Sequence, residues 1–389
     1  MPRTKLEAID QIANAVGDPL KREEISVSFF GDSTIEEETR PDTDMRDDDR
    51  QIADAIGDFR RAIEAFPIEQ NWRTEFRKIN LSVELDRKYS LDYFIDGSIR
   101  TKYVGELIMP QGSGGALMVA SVGAVSVKVD YEFRRVKPDI AKSKLFVYMI
   151  NSIPDTARDA IKNRLGQLDP PVKVEFLSQE EARENIRGAA GGKARSEMHN
   201  TEIEVAKSIN SNRRWIAIDG ALRKGEFIDL DKAIGIAKSF SGKVIFTREG
   251  KPKTISHLAK MRVGERSKVY QYKIAQSDQE SEEKETLGKI VFWYLRIREP
   301  PPEMMPLGGI VKVDLSLKDD NKVIDATDLA DRLSESILKV ADPSIFPRPR
   351  WPSFVYPVRV AEEYLEPILY SGDEFMRLGI SLKRVMYNA

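Results

Sequence analysis

Two strand-like runs that each end in Asp-Gly constrain this chain more than any other feature. The first is Tyr93-Phe94-Ile95-Asp96-Gly97-Ser98-Ile99 and the second is Trp215-Ile216-Ala217-Ile218-Asp219-Gly220-Ala221-Leu222. In both, β-branched and aromatic residues lead into an aspartate followed by glycine, the pattern of a buried strand ending where the backbone can open to a ligand. Asp-Gly also closes hairpins, and many such aspartates only cap a turn. Two of them on neighbouring strands would place two carboxylates together, a site for a divalent metal and for phosphodiester chemistry.

A third acid precedes the second run. On a helix over roughly 178–210, broken at Gly188 and Gly191-Gly192, the residues Met198, Val205, Ala206 and Ile209 form an apolar stripe. Glu202 lies on that stripe, while Glu204 points the other way. An ionised carboxylate on a buried face needs a partner, either a salt bridge or a metal. Oxygen-only ligands suit Mg²⁺ or Mn²⁺.

Other chemistries find little material. The chain has no cysteine, which removes disulfides, thiolate zinc sites and a cysteine nucleophile and fits a cytoplasmic protein. It has two histidines, His199 and His257; His199 lies one turn before Glu202 and is read as a neighbour of the site or a surface residue. Gly188-Ala189-Ala190-Gly191-Gly192-Lys193-Ala194 resembles a phosphate-binding loop, but Arg187 and Ala194 stand where that motif needs Gly and Ser/Thr.

The bulk properties bound the fold. At 389 residues the chain is long enough for two or three domains or one domain with insertions, and a hydrophobic content of 41% supports a packed core. No run reaches the length of a membrane span, and the N-terminus lacks the apolar segment of a signal peptide. The net charge of −2 leaves no uniform basic field, so contacts to nucleic acid would come from local cations. Arg134-Arg135, Arg213-Arg214, Lys251 with Lys253, Arg348 with Arg350 and Lys383-Arg384 are the candidates, though in so charged a chain a solvated face is the first reading of each pair.

Residues 1–30 predict a short helix and an extended piece, 32–50 an acidic linker ending in Asp47-Asp48-Asp49, and 50–66 a helix through Ile52, Ile56, Phe59 and Ile63. From about residue 80 the pattern is β, with a turn at Gln111–Gly115 and strands over 116–135, an antiparallel meander. Residues 276–288 read as a loop, 290–298 and 310–317 as paired strands, and 327–340 as an amphipathic helix.

At these residues the chain resembles the NurA nuclease family. Phe94-Ile95-Asp96-Gly97-Ser98, Met198-His199-Asn200-Thr201-Glu202, Ile218-Asp219-Gly220-Ala221-Leu222 and Ile234-Gly235-Ile236-Ala237-Lys238-Ser239 follow the family's order, with Ala221 where serine is usual. Gly264-Glu265-Arg266-Ser267, Trp293-Tyr294-Leu295-Arg296 and Tyr356-Pro357 before Ala361-Glu362 continue it. The resemblance covers roughly residues 90–389.

It implies an α/β fold: an RNase H-like mixed sheet flanked by helices, related to Argonaute nuclease domains; by their own pattern residues 139–190 read as an insertion around which that domain continues, or as a continuation of the sheet. Residues 1–89 would be a largely helical N-terminal extension, a possible partner-docking or dimer region. The implied activity is Mn²⁺- or Mg²⁺-dependent DNA hydrolysis, endonucleolytic and 5′-to-3′ exonucleolytic, by a homodimer working with a HerA-like hexameric ATPase in end processing or phage defence. Asp96, Glu202 and Asp219 would hold the metal. Lys238 would lie near the site or on the surface, and Tyr356 near it from the C-terminal segment. The family often has histidine where this chain has Glu362, and the alternative is a nuclease-like structural subunit without its own catalysis.

Overall fold

The computed structural model describes residues 5–29, 63–69, 74–112, 114–133, 135–150, 152–209, 214–222, 225–238, 240, 244–248, 251–272, 289–299, 306–317, 326–341 and 355–387. The acidic linker with Asp47–Asp49, most of the helix expected over 50–66, the loop 276–288 and the pair Arg348 with Arg350 lie outside these residues, as do Arg134 and Arg213.

The β-rich pattern after residue 80 resolves into three long strands. These are β4 (Leu91–Ile108), β5 (Gly114–Asp130) and β6 (Arg135–Ile150), paired antiparallel in chain order. Gly112, at a φ of 80°, turns the first hairpin, its N–H donating to the Met109 carbonyl at 2.9 Å. The meander predicted from the sequence is therefore present. Most of the stretch from Arg135 to Ile150 falls in the region from 139 onward that the sequence leaves as an insertion or a continuation of the sheet, and it is the third strand. Helix α2 (Asp155–Gly166) then leads to β7 (Lys173–Leu177), which lies parallel to β6 at the sheet edge.

The chain returns to the middle of the sheet through α3, which runs unbroken from Gln179 to Ser208. Strand β8 (Trp215–Asp219) pairs parallel with β4, the short helix α4 (Gly225–Ile228) follows it, and β9 (Ala233–Ala237) pairs parallel with β8. Strands β14 (Ile290–Arg296) and β15 (Ile310–Ser316) pair antiparallel, and β15 closes onto β9.

The N-terminal region joins the same sheet. Helix α1 (Lys5–Arg22) is followed by β1 (Ser26–Phe29), which pairs with the far end of β4. Residues 63–66, expected as the end of a helix, belong instead to strand β2 (Ile63–Pro67). It lies between β10 (Val244–Arg248) and β13 (Tyr270–Tyr272), parallel to the first and antiparallel to the second. Edge strand β11 (Lys251–Thr254) pairs with β10, and β3 (Arg77–Lys78) pairs with β12 (Glu265–Arg266). The described part of residues 1–89 thus holds one helix and three strands, and the whole forms a large mixed sheet flanked by helices.

Both faces are covered, so β5 is buried along nearly its whole length instead of alternating. One face carries α3, packed through Ile203, Val205, Ala206 and Ile209 against Ile95, Ile216 and Ile218. The other carries α5 (Ala326–Lys339) and α6 (Tyr356–Leu365), packed through Leu333, Ile337, Val358, Ala361 and Leu365 against Phe94, Ala217, Ile234 and Val313. The C-terminal helix α7 (Gly372–Tyr387) packs with α1 over the far ends of β4 to β6. Arg266 is fully buried, its guanidinium 2.9 Å from Glu69 and 2.5 Å from Asp331, which ties β12 to the exit of β2 and to α5. Among the described residues, no helix is long and apolar enough to cross a membrane.

Candidate metal-binding site

Asp96 and Asp219 sit side by side. Ile95 pairs with Ile218 across the parallel β4–β8 ladder, so the next residue on each strand is the aspartate. Phe94 and Ala217, two residues before them, belong to the core under α6, so both carboxylates emerge on the α6 side of the sheet.

The two Asp-Gly steps differ. Asp219 ends β8, and Gly220, at a φ of 103°, turns the chain away. Asp96 does not end a strand. It lies inside β4, paired with Val125 of β5, and Gly97 continues that ladder opposite Ala124. Gly97 serves a different purpose. It faces the α3 side, and a β-carbon built there would stand 2.5 Å from Oε1 of Glu202 and 2.9 Å from its Cδ and Cγ. Glu202 occupies the space a side chain would fill. It is 2% exposed, and its Oε2 is 2.8 Å from Nδ1 of His199, one turn earlier on α3. Glu204, on the other side of the helix, accepts a hydrogen bond from Lys144 at 2.6 Å and lies 3.7 Å from Lys142, which pins the rotation of α3.

Lys238, just past β9, reaches the aspartates from the α6 side. Its ammonium donates to Asp219 Oδ2 at 3.1 Å and to Glu362 Oε1 at 2.9 Å. Glu362 arrives on α6 one residue beyond the buried Ala361, its side chain 36% exposed against 7% for Lys238. Burial alone would pull the lysine pKa down, but Asp219, Glu362 and Asp96 outweigh it and hold the ammonium above its ordinary value. The carboxyl of Asp96 is pushed well above the usual carboxylate range by burial first, then by the charges of Asp219 and Glu362. Lys238 opposes that shift and Glu202 adds to it.

Tyr356 is the first residue of α6, and its ring lies 5.2 Å from the guanidinium carbon of Arg359. It precedes Glu362 by six residues, about 9 Å along the helix axis. The structure therefore places it toward the opposite end of α6 from the acid that meets Lys238.

Two residues of the site's support escaped the sequence reading. Asp314 and Lys312 are buried on β15, 2.7 Å apart, and Asp314 Oδ2 accepts a 3.3 Å hydrogen bond from the Leu222 N–H. They fasten the loop that follows Asp219. Gly235 makes room for that loop, since a β-carbon there would meet the Gly220 carbonyl oxygen at 2.7 Å and the Leu222 nitrogen at 2.9 Å. The available signal was two opposite charges spaced by two within an otherwise apolar strand.

The residues present suit a hard divalent cation: the donors are carboxylate oxygens, and Asp96, Asp219 and Glu362 face a single lysine. In the arrangement seen, no three acidic or histidine side chains among the described residues are close enough to share one ion. No protein-family model matches the chain, and no curated protein matches it significantly.

Proposed function

We propose that this protein is a NurA-like nuclease that hydrolyses DNA phosphodiester bonds with Mn²⁺ or Mg²⁺. The observation that carries the reading is the pair Asp96 and Asp219, adjacent at one level of two parallel strands. The strand order β6-β5-β4-β8-β9, three antiparallel strands followed by two parallel to β4, supports an RNase H-like core with the aspartates on its two central strands.

Asp96 and Asp219 would hold the metal, with Glu202 reaching the same step of β4 from the α3 side through the gap at Gly97. When bound, the ion would lower the pKa of a water and offset charge on the scissile phosphate. Lys238 brings a fixed positive charge to the α6 side, where an anionic backbone would lie. His199 holds the Glu202 carboxylate in one orientation. The burial of Asp96 and Glu202 keeps bulk water from screening these interactions. The cytoplasm, a homodimer and a HerA-like hexameric ATPase are the setting this reading proposes.

The test is cleavage of linear DNA by the wild type, Asp96→Ala and Asp219→Ala, with and without Mn²⁺. Metal-dependent cleavage lost in both variants supports the reading; metal-independent cleavage, or full activity in both variants, refutes it. Phosphate contacts make DNA binding weaken as salt rises.

A second reading is a nuclease-like structural subunit that docks on such an ATPase without catalysis. The ion pairs of Lys238 with Asp219 and Glu362 favour it, because they satisfy the acids without metal. A protein that binds the ATPase and takes up no Mn²⁺ by calorimetry would establish this alternative.

A further inference from the structure

The ammonium of Lys238 occupies the place where the acidic site has most need of a cation. It touches Asp219 and Glu362 directly and acts electrostatically on Asp96, so side chains from β4, β8 and α6 face one nitrogen. We infer that Lys238 is the resident cation of this site and that a divalent metal enters by displacing its ammonium from Asp219 and Glu362. The inference rests on the metal-dependent reading above and names how that site is kept closed until metal arrives.

Distance carries the argument. The lysine holds its two oxygens at 3.1 and 2.9 Å, whereas Mg²⁺ takes oxygen ligands at about 2.0–2.1 Å. The oxygens around an ammonium therefore stand farther apart than those around a metal, which accounts for the lack of a ready-made three-acid cluster among the described residues. To bind an ion, Asp219 and Glu362 must draw inward by roughly 1 Å onto the position the ammonium faces. Two positive centres cannot share those oxygens at such spacing without strong repulsion.

The geometry also provides for the released lysine. It remains tethered just past β9, beside β8, within a side-chain length of Asp219. A phosphate oxygen of a bound backbone is then a group of the right charge to replace the carboxylates it has lost. The same ammonium would guard the acids before metal binding and contact the substrate afterwards.

Two measurements on the full-length protein test this. In the first, Mn²⁺ is titrated by calorimetry into the wild type, Lys238→Met and Lys238→Arg. Displacement predicts that Lys238→Met binds Mn²⁺ tighter by about tenfold or more, while Lys238→Arg, which keeps the charge, binds no tighter than wild type. Equal or weaker binding by Lys238→Met overturns the inference.

The second uses unaltered protein, so it does not depend on a variant that folds. Reductive methylation of Lys238, followed by mass spectrometry, is expected to rise when Mn²⁺ is added, and unchanged or reduced labelling overturns the inference. DNA cleavage measured in parallel separates the two readings. Mn²⁺-dependent cleavage without tighter binding in Lys238→Met sinks displacement alone. Displacement in a protein that never cuts DNA sinks the nuclease reading alone. A chain that takes up no Mn²⁺ sinks both.

Discussion

Glu202 rests against the bare backbone of Gly97, its Oε1 standing 2.5 Å from where a β-carbon would be. This contact lets an acid on α3 approach the strand level whose aspartate faces the other side of the sheet. Gly97→Ala would force the whole carboxylate arm away, because Cδ and Cγ lie as close as 2.9 Å. The strand itself tolerates alanine, so the expected loss of stability is about 1–3 kcal/mol, as for other overpacking changes. Metal-dependent cleavage should fall as far as in Glu202→Gln. A variant that melts a few degrees lower yet cuts DNA at the wild-type rate would show that Glu202 has no part in the chemistry.

Asp96→Asn should raise the melting temperature of metal-free protein at neutral pH while abolishing metal-dependent cleavage. Burial, together with Asp219 and Glu362, lifts the folded-state pKa of Asp96 well above its unfolded value. The folded protein thus favours the protonated acid. Its contribution is fully favourable below the ordinary aspartate pKa of about 3.9 and is lost as pH rises through the raised folded value. The stabilisation by asparagine should accordingly shrink as pH is lowered toward the ordinary range. Thermal melts across pH in a chelator decide it; an asparagine variant less stable at every pH contradicts the assignment.

Glu69→Gln tests the buried ion cluster far from the acids. Arg266 is 0% exposed at its side chain and Glu69 4%, and Glu69 Oε2 also accepts the Val269 N–H at 2.7 Å. Removing one partner leaves a buried guanidinium undercompensated, which should cost about 3–5 kcal/mol. Denaturant unfolding gives the value directly. A loss below about 1 kcal/mol would mean the cluster is solvated like a surface pair.

Gly235→Ala should be the more damaging of two small changes around the aspartates. The atoms its methyl would strike belong to the backbone of Gly220 and Leu222, which cannot swing aside as a side chain can. The loop after Asp219 must move, and Mn²⁺ affinity should drop along with stability. Calorimetry showing wild-type affinity in a folded Gly235→Ala protein would separate the loop from the site.

Local pattern revealed the strands that carry the acids, because both runs are apolar and β-branched and lead into an aspartate, a residue that a buried strand rarely carries. Helical spacing likewise put Glu202 on the buried face of α3, where the structure has it at 2% exposed. The glycines in that helix read as a break, yet α3 continues through them. Ala190 and Ala194 are buried beside the core that holds Phe146 and Tyr148, and this packing outweighs the glycine penalty of about 1 kcal/mol each. The first half of β6 could not be told from an insertion because its side chains are mostly exposed or half-buried and give no apolar alternation. Its pairing with β5 shows only in three dimensions. Glu362 was visible as a departure from the expected histidine, but its contact with Lys238 joins positions 124 apart, a separation that no local window spans.

The placement of β2 bears on how the molecule can be made. Its neighbours β10 and β13 lie some two hundred residues downstream, so the ribosome releases this strand long before either flank exists. Until then Ala65, fully enclosed in the finished protein, has no ladder to enter. Deleting the first eighty or so residues would do more than trim an appendage: it would leave a slot in the sheet, with two unpaired edges ready to capture a strand from another chain.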